Sequence, residues 1–113
     1  MAKIDAIREK IQKLGRKQKL KDLMKYLEVN DDEVRLEVAI ALGQIKTYES
    51  GMALIPLLRD PSPMVRAAAA TSAADIDAKH FEEYVKKLAF ADNDPNVRNI
   101  AKAAFDRLKT SVL

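Results

Sequence analysis

Apolar residues recur at helical spacing in three stretches of this chain, and each stretch is centred on the same dipeptide. Val34, Val65 and Val97 are each followed by an arginine, at spacings of 31 and 32 residues. Counted from each valine, apolar residues stand at offsets 0, 4, 8 and 11, which lie on one face of an α-helix. Seven residues before each valine, a leucine or a phenylalanine ends another apolar stretch. Each unit therefore predicts a helix, a short turn and a second helix.

The constant period predicts how these helix pairs assemble. One helix pair cannot bury its apolar face alone, so repeated pairs stack side by side into a solenoid. We predict a single all-α domain over residues 1–113, a right-handed α-solenoid of about three helix pairs with an extra N-terminal helix. The predicted units are residues 17–46, 47–77 and 78–113, and residues 1–16 form a helix that caps the first unit.

Several predicted helices have recognisable starts and ends. Gly15 is expected to end the first helix. Ser62 is expected to cap the fifth helix through its hydroxyl, with Pro63 at the first helical position. Met24 is expected to fill the core, and Ile100 to face inward with the other apolar residues of its helix. The seven helices are predicted at about residues 2–14, 17–28, 32–46, 50–59, 63–75, 78–91 and 95–109.

The run from Asp31 to Ile45 resembles a known repeat. It reads D-D-E-V-R-L-E-V-A-I-A-L-G-Q-I and is similar to the consensus of HEAT repeats, most of all to the short class called PBS-lyase HEAT-like repeats. The resemblance covers roughly residues 17–109 and recurs at constant spacing. It implies HEAT-like helix pairs. No activity is carried over with it, because a fold does not imply a function.

The resemblance also implies a polar ladder between repeats. In the family, an aspartate six residues before the arginine helps to form that ladder. Asp60 with Arg66, and Asp92 with Arg98, have this spacing. The first unit departs from the family pattern, because Val29 stands where the aspartate is expected.

Composition bounds the class of protein. The 113 residues are 48% hydrophobic and 33% charged, which is normal for a globular domain. The chain has no cysteine, so we expect neither disulfides nor thiolate metal sites, and the expected location is a reducing one, the cytoplasm. We expect no membrane association, since no apolar run is long enough to span a bilayer and the start of the chain lacks the apolar block of a signal peptide.

Residues with catalytic or metal-binding side chains stand apart from one another, and we predict no enzyme, no catalytic residue, no cofactor and no metal. His80 is the single histidine, whereas a metal site needs three or four convergent ligands. The carboxylates of residues 31–33 stand where a helix starts, which the helix dipole favours. A cation site there is the less favoured alternative. Ser72 has no histidine partner for a triad.

The predicted function is non-enzymatic binding of another protein or peptide, by a scaffold or adaptor that uses the concave face of the solenoid. The second helix of each unit lines that face. Offsets 2, 6 and 10 from each valine avoid the buried face, so we expect them to line a groove for a peptide or a partner helix. For the first two of these residues, packing under the N-terminal helix is an equal alternative. The nine positions are Leu36, Ile40, Gln44, Ala67, Thr71, Asp75, Asn99, Ala103 and Arg107.

Nucleic-acid binding through the N-terminal third is the alternative function. Residues 1–25 carry nine basic and three acidic side chains, although the whole chain has a net charge of only +3. A basic face can contact phosphates without sequence preference. It lacks an aromatic stacking platform, so the outer, solvated face of a capping helix is the favoured interpretation. The candidate patch consists of Lys10, Lys13, Arg16, Lys17 and Lys21.

Overall fold

A computed structural model describes residues 3–111, and every regular element in that range is helical. The predicted all-α fold is therefore confirmed. Short 3-10 helices at Met24–Tyr26 and Lys79–Phe81 precede the third and sixth α-helices along the chain. The α-helices are α1 (Lys3–Arg16), α2 (Leu20–Leu23), α3 (Asp32–Leu42), α4 (Tyr48–Leu58), α5 (Pro63–Asp75), α6 (Glu82–Ala91) and α7 (Pro95–Thr110).

The helices after α1 form three pairs in two layers. Helices α3, α5 and α7, each the second of its pair, pack side by side and form what we call the B layer. Helices α4 and α6 pack behind α5 and α7 and belong to the A layer with α2. Helix α1 packs against α3, on the side away from α5. This is the predicted solenoid of three helix pairs with an extra N-terminal helix.

The core of the solenoid follows the predicted spacing. The residues at offsets 0, 4 and 11 from each valine are buried in all three B helices. Offset 8 is buried at Leu42 and Ala73, whereas Phe105 is half-buried. The continuous apolar side of the B layer therefore runs through all three repeats, and only its third repeat departs at one position.

The second predicted helix is much shorter than the pattern suggested. In place of a helix over about 17–28, α2 covers Leu20–Leu23 and continues as a 3-10 turn over Met24–Tyr26. A 3-10 helix has three residues per turn, so a residue just after the change leaves the apolar stripe of the α-helix. The prediction that Met24 fills the core is wrong, since 47% of the residue is exposed.

Gly15 does not end α1, contrary to the prediction. The helix continues to Arg16, and Gln18 instead takes the left-handed conformation, with φ of 56°. Gly15 lies at a close contact of α1 with α3, because a Cβ built on it would stand 2.9 Å from the Cβ of Ala41. The glycine therefore serves a close helix contact.

The prediction that the Ser62 hydroxyl caps α5 is also wrong. Ser62 occupies the N-cap position, but its side chain accepts no bond from the helix. In the equivalent turn before α7, the longer side chain of Asp94 accepts hydrogen bonds from the backbone N–H groups of Asn96 and Val97, at 2.8 and 3.2 Å. The serine hydroxyl is shorter than this carboxylate. Instead, the N–H of Ser62 donates to Asp60 Oδ2 at 2.9 Å.

Candidate protein-interaction surface

Two arginine–aspartate pairs join neighbouring repeats and hold the B helices in position. Arg35 donates from Nε and Nη2 to the two carboxylate oxygens of Asp60, at 2.7 and 3.1 Å. Arg66 makes the same two bonds to Asp92, at 2.8 and 3.1 Å. The arginine side chains are 14–15% exposed and the aspartates 5%. Each pair is therefore bidentate and largely removed from water, which favours strong, directional bonds.

The ladder arginines also bond to the backbone six residues earlier. Arg35 Nη1 donates to the carbonyl of Val29 at 2.8 Å, and Arg98 Nη1 donates to the carbonyl of Asp92 at 2.6 Å. The position six residues before each arginine thus acts through its carbonyl, while an aspartate side chain there pairs with the arginine of the preceding repeat. The valine in the first unit therefore leaves the first rung intact, since Arg35 still reaches both this carbonyl and Asp60.

The ladder shifts the pKa values of its charged groups. Burial alone would raise the pKa of the Asp92 carboxyl, but hydrogen bonds from Arg66 and from the N–H of Asp94 outweigh it and lower that pKa below 3.8. The hydrogen bond to Asp60 raises the pKa of the Arg35 guanidinium against the effect of its burial. Asp92 and Arg35 therefore remain charged at ordinary pH, as a structural contact requires.

Most of the nine predicted groove positions lie at the surface of the B layer. Asp75 Oδ1 on α5 and Arg107 Nη2 on α7 stand 3.0 Å apart. Both residues are at offset 10, so equivalent positions on adjacent B helices point to the same side. The exposed members of the set are Ile40, Gln44, Thr71, Asp75, Asn99, Ala103 and Arg107.

Two of the nine positions are not open to a partner in the predicted way. Ala67 is only 8% exposed, so its assignment to the groove is wrong. Its methyl group ends close to the helix backbone, and α5 is flanked on both sides by α3 and α7. Leu36 is half-buried and packs against the core, in line with the alternative that it packs inward. Ile40, in contrast, is 48% exposed.

Two further apolar residues belong to the same surface, and sequence reasoning missed both. Met64 is 64% exposed and Ile100 is 41% exposed, which overturns the prediction that Ile100 faces inward. They stand at offsets −1 and 3, and a helix turns by about 100° per residue. Both offsets therefore fall in or next to the sector that offsets 2, 6 and 10 occupy. A helical wheel that included every position of each B helix, rather than offsets 2, 6 and 10 alone, would have found them.

The five candidate residues of the basic patch are exposed on α1, on the turn that follows it and at the start of α2. The neighbouring Arg8 has a different role. Its Nε donates to Glu37 Oε2 on α3 at 3.0 Å, and Gln12 Nε2 donates to Oε1 of the same carboxylate at 3.3 Å. The bond to Glu37 raises the pKa of Arg8. Glu37 is only 7% exposed, so this contact joins α1 to α3 at a buried carboxylate. None of the five patch residues takes part in it.

The side chains weighed for catalysis or metal binding have other partners. Ser72 is buried and its Oγ donates to the carbonyl of Ala39 at 2.6 Å. Asp31 Oδ1 caps α3 by accepting the N–H of Glu33 at 2.9 Å. His80 is exposed, with its ring centre 5.4 Å from that of Tyr48. Within residues 3–111, no three metal-ligating side chains converge, and no helix is long and apolar enough to cross a membrane.

The repeated arginine–aspartate rung joins helix pairs of constant period. Residues 53–76 match the HEAT repeat family. The matched HEAT repeat runs from the second half of α4 through α5 and contains Asp60 and Arg66. It supports the HEAT-repeat family for this chain, and HEAT repeats generally serve as scaffolds for protein interactions. No curated protein matches the chain.

Proposed function

We propose that this protein is a non-enzymatic scaffold that binds a peptide or a helix of a partner protein on the exposed side of the B layer. One observation carries the proposal. Ile40, Met64 and Ile100 expose 48%, 64% and 41% of their surface, one on each B helix. They fall in or beside one sector of those helices. Packed helices lie about 8–10 Å apart, so a partner crossing the layer meets an apolar anchor on each helix.

The surroundings of these anchors suit a protein partner. Thr71 and Asn99 expose neutral polar groups in the same sector, and Gln44 is exposed in the turn after α3. Asp75 and Arg107 neutralise each other across α5 and α7. Apolar anchors surrounded by uncharged or mutually paired polar groups favour recognition of an amphipathic helix or an extended peptide. Binding through apolar anchors requires no catalytic side chain, which supports the non-enzymatic part of the proposal.

The test compares two substitutions matched in exposure. Ile40 on the B layer is 48% exposed and Met52 on α4 of the A layer is 50% exposed. Proteins captured by the wild-type chain from native host extract are quantified by mass spectrometry against captures by Ile40→Glu and Met52→Glu. We expect Ile40→Glu to remove specific partners and Met52→Glu to retain them. Equal capture by all three proteins would reject the B layer as the binding surface.

The alternative proposal is nucleic-acid binding through the basic patch. Its support is that all five patch residues are exposed. A labelled DNA duplex is titrated by fluorescence anisotropy at two salt concentrations, with wild type and with Lys13, Lys17 and Lys21 all changed to Glu. Steeply salt-dependent binding that the triple change abolishes would favour this function, since phosphate contacts release counterions. No binding at either salt concentration would leave the patch as a solvated face.

We also infer that the repeats are of the PBS-lyase HEAT-like class. The period of 31–32 residues and the arginine–aspartate rungs support this finer assignment. It concerns the form of the repeat alone and adds no enzymatic activity to the proposal.

A further inference from the structure

The third repeat carries a basic and aromatic surface that has no counterpart on the surface of the other repeats. It lies on α6 and α7, on the side of α7 away from α5, and we call it the end face. On a helical wheel it occupies a different side of α7 from Asn99, Ala103 and Arg107, so it is distinct from the surface proposed for the scaffold function. Its residues are Lys86, Phe90, Arg98, Lys102, Phe105 and Lys109.

The repeat period shows what normally covers these positions. Offsets −11, −7, 5 and 8 hold Leu54, Leu58, Ala70 and Ala73 in the second repeat, and these residues are 0–3% exposed. The first repeat has Leu23, Ala39 and Leu42 at three of the four offsets, all at 0%. A neighbouring contact shows the cause, because Ser72 on α5 donates to the carbonyl of Ala39 on α3. In these repeats, the positions are buried in the joint with the next helix pair.

In the third repeat, the same four offsets hold Lys86, Phe90, Lys102 and Phe105. Phe90 is 66% exposed, Lys86 and Lys102 are exposed, and Phe105 is half-buried. The two phenylalanine rings contact each other edge to face, with centres 6.3 Å apart and planes at 79°. The end face therefore keeps an apolar centre, which favours protein contact, but two of its positions have become cationic.

Lysine ammonium groups flank this centre. Lys86 Nζ and Lys109 Nζ lie 5.9 and 5.5 Å from the centre of the Phe105 ring, which is within the range of cation–π contact. Lys109 also bonds to Asp106 at 3.4 Å. With Lys102 and Arg98 the face carries four cations against this one acid.

Arg98 shows which group the end face is built to receive. Its Nη1 bonds to the carbonyl six residues earlier, as in the other two ladder arginines. Those two arginines use Nε and Nη2 to hold an aspartate of the next helix pair. Within residues 3–111, Arg98 forms no salt bridge and these two donors have no acceptor. The same fork geometry accepts a carboxylate bidentately.

We propose that the end face binds an acidic amphipathic helix of a partner protein. The helix sets apolar side chains on Phe90 and Phe105, places an aspartate or glutamate on the Arg98 guanidinium, and brings further acidic groups near Lys86 and Lys102. The two equivalent joints inside this chain support a helix as the occupant, because a helix pair covers these positions there and the turn after its first helix supplies the aspartate that holds the arginine. This interaction does not depend on the surface of the scaffold proposal.

A second copy of the chain does not suit the end face. In a head-to-tail stack, the partner copy would have to offer an aspartate at the position of Val29, and it has none. It would also bring the exposed cations of α1 toward the cations of the end face, which costs free energy through like-charge repulsion. Charge complementarity therefore selects an acidic partner.

The experiment uses the full chain and three labelled probes. The first is a fluorescein-labelled synthetic amphipathic helix with leucines on one face and glutamates on the other. The second has glutamine in place of every glutamate, and the third is a single-stranded oligoadenylate RNA. Binding is measured by fluorescence anisotropy and located by amide chemical shifts in 15N-labelled protein. Circular dichroism checks that each variant is folded.

We expect the acidic helix to bind, with chemical-shift changes confined to α6 and α7, and the glutamine helix not to bind. Lys102→Glu, Phe90→Ser and Arg98→Lys should each weaken binding by about tenfold, a loss typical of an important interface residue. The matched control is Lys46→Glu, which changes net charge equally on an exposed lysine between α3 and α4, outside both proposed surfaces and the basic patch, and should leave the affinity unchanged.

Other outcomes overturn the proposal. Equal weakening by Lys46→Glu and Lys102→Glu would mean that overall charge, rather than the end face, attracts the peptide. Equal binding of the glutamine helix would remove the role of the carboxylate. Tighter binding of the RNA, with chemical-shift changes at α6 and α7 rather than at the basic patch, would assign the face to nucleic acid. Dimers in sedimentation velocity that Lys102→Glu disrupts would assign it to a second copy.

Discussion

Two kinds of joint connect the helices of the B layer, one between its members and one between α3 and α1. In the α3/α5 and α5/α7 joints, the ladder arginines are 14–15% exposed and their aspartates 5%. In the α1/α3 joint, Arg8 meets Glu37 at a similar distance of 3.0 Å, but the arginine is 38% exposed. Bond lengths alone would rank the three joints as equal. Because water screens the α1/α3 pair more, we expect it to contribute less to stability.

The two kinds of joint also share a glycine contact. Gly15 on α1 faces Ala41 on α3, and Gly43 after α3 faces Ser72 on α5. The surroundings differ, however, since Ser72 is held by its own buried hydrogen bond. The comparison separates joints whose arginines and buried serine are largely shielded from water from one whose arginine is partly exposed.

The largest effect is expected for Arg66→Ala. The change leaves the buried carboxylate of Asp92 without its partner, which costs about 3 kcal/mol of the free energy of unfolding. Arg8→Ala, the matched change in the α1/α3 joint, should cost clearly less. Urea denaturation followed by circular dichroism measures both. Equal midpoints for the two variants would contradict the distinction between the joints.

Substitutions at the two glycine contacts should also destabilise the α3/α5 joint more than the α1/α3 joint. A Cβ on Gly43 would stand 2.6 Å from Ser72 Oγ, so Gly43→Ala should destabilise the protein by about 1–3 kcal/mol. A Cβ on Gly15 would stand 2.9 Å from the Cβ of Ala41 and 3.1 Å from its Cα. Because α1 packs mainly on α3, we expect the whole helix to shift outward and admit the methyl group. Alanine also favours a helix over glycine by about 1 kcal/mol.

Gly15→Ala should therefore change the free energy of unfolding by less than about 1 kcal/mol. Thermal unfolding of the two variants, measured side by side, tests this pair. A greater loss for Gly15→Ala than for Gly43→Ala would show that the α1/α3 joint is the more rigid one.

The smallest effect is a dependence on acid pH. The folded-state pKa of Asp92 lies below its ordinary value of 3.8. Its contribution to stability is therefore complete above that value and is lost as the pH falls through the lower folded-state pKa. Between about pH 5 and pH 2, wild type should lose more stability than Asp92→Asn, which cannot titrate. Parallel stability curves for the two proteins would count against the lowered pKa.

Sequence periodicity predicted the architecture well because burial repeats at fixed offsets. The three valines and the residues four and eleven positions after them are all buried. The bounds of α5 were predicted to the residue, Pro63–Asp75, since proline marks its start. Local chemistry was predicted less well. The role of Gly15 depends on the approach of α3, which no local pattern reveals.

The candidate surface was predicted only in part, for a related reason. Offsets from the valine identify a sector of each helix, but exposure also depends on side-chain length and on neighbouring helices. Ala67 lies in the sector and is covered, while Met64 within it and Ile100 at its edge are exposed. The partner of Glu37 was missed as well, because it comes from α1, which lies outside the repeat.

The middle helix pair has a consequence for the length of such arrays. Residues 47–77 contain an aspartate that receives the arginine before it and an arginine that reaches the aspartate after it. Apolar residues fill both of its joints. An inserted duplicate of this segment would find a matching rung on each side, with Arg66 of one copy opposite Asp60 of the next. Residues 47–77 are thus a self-compatible module, by which the array can be lengthened one helix pair at a time while its two end surfaces stay unchanged.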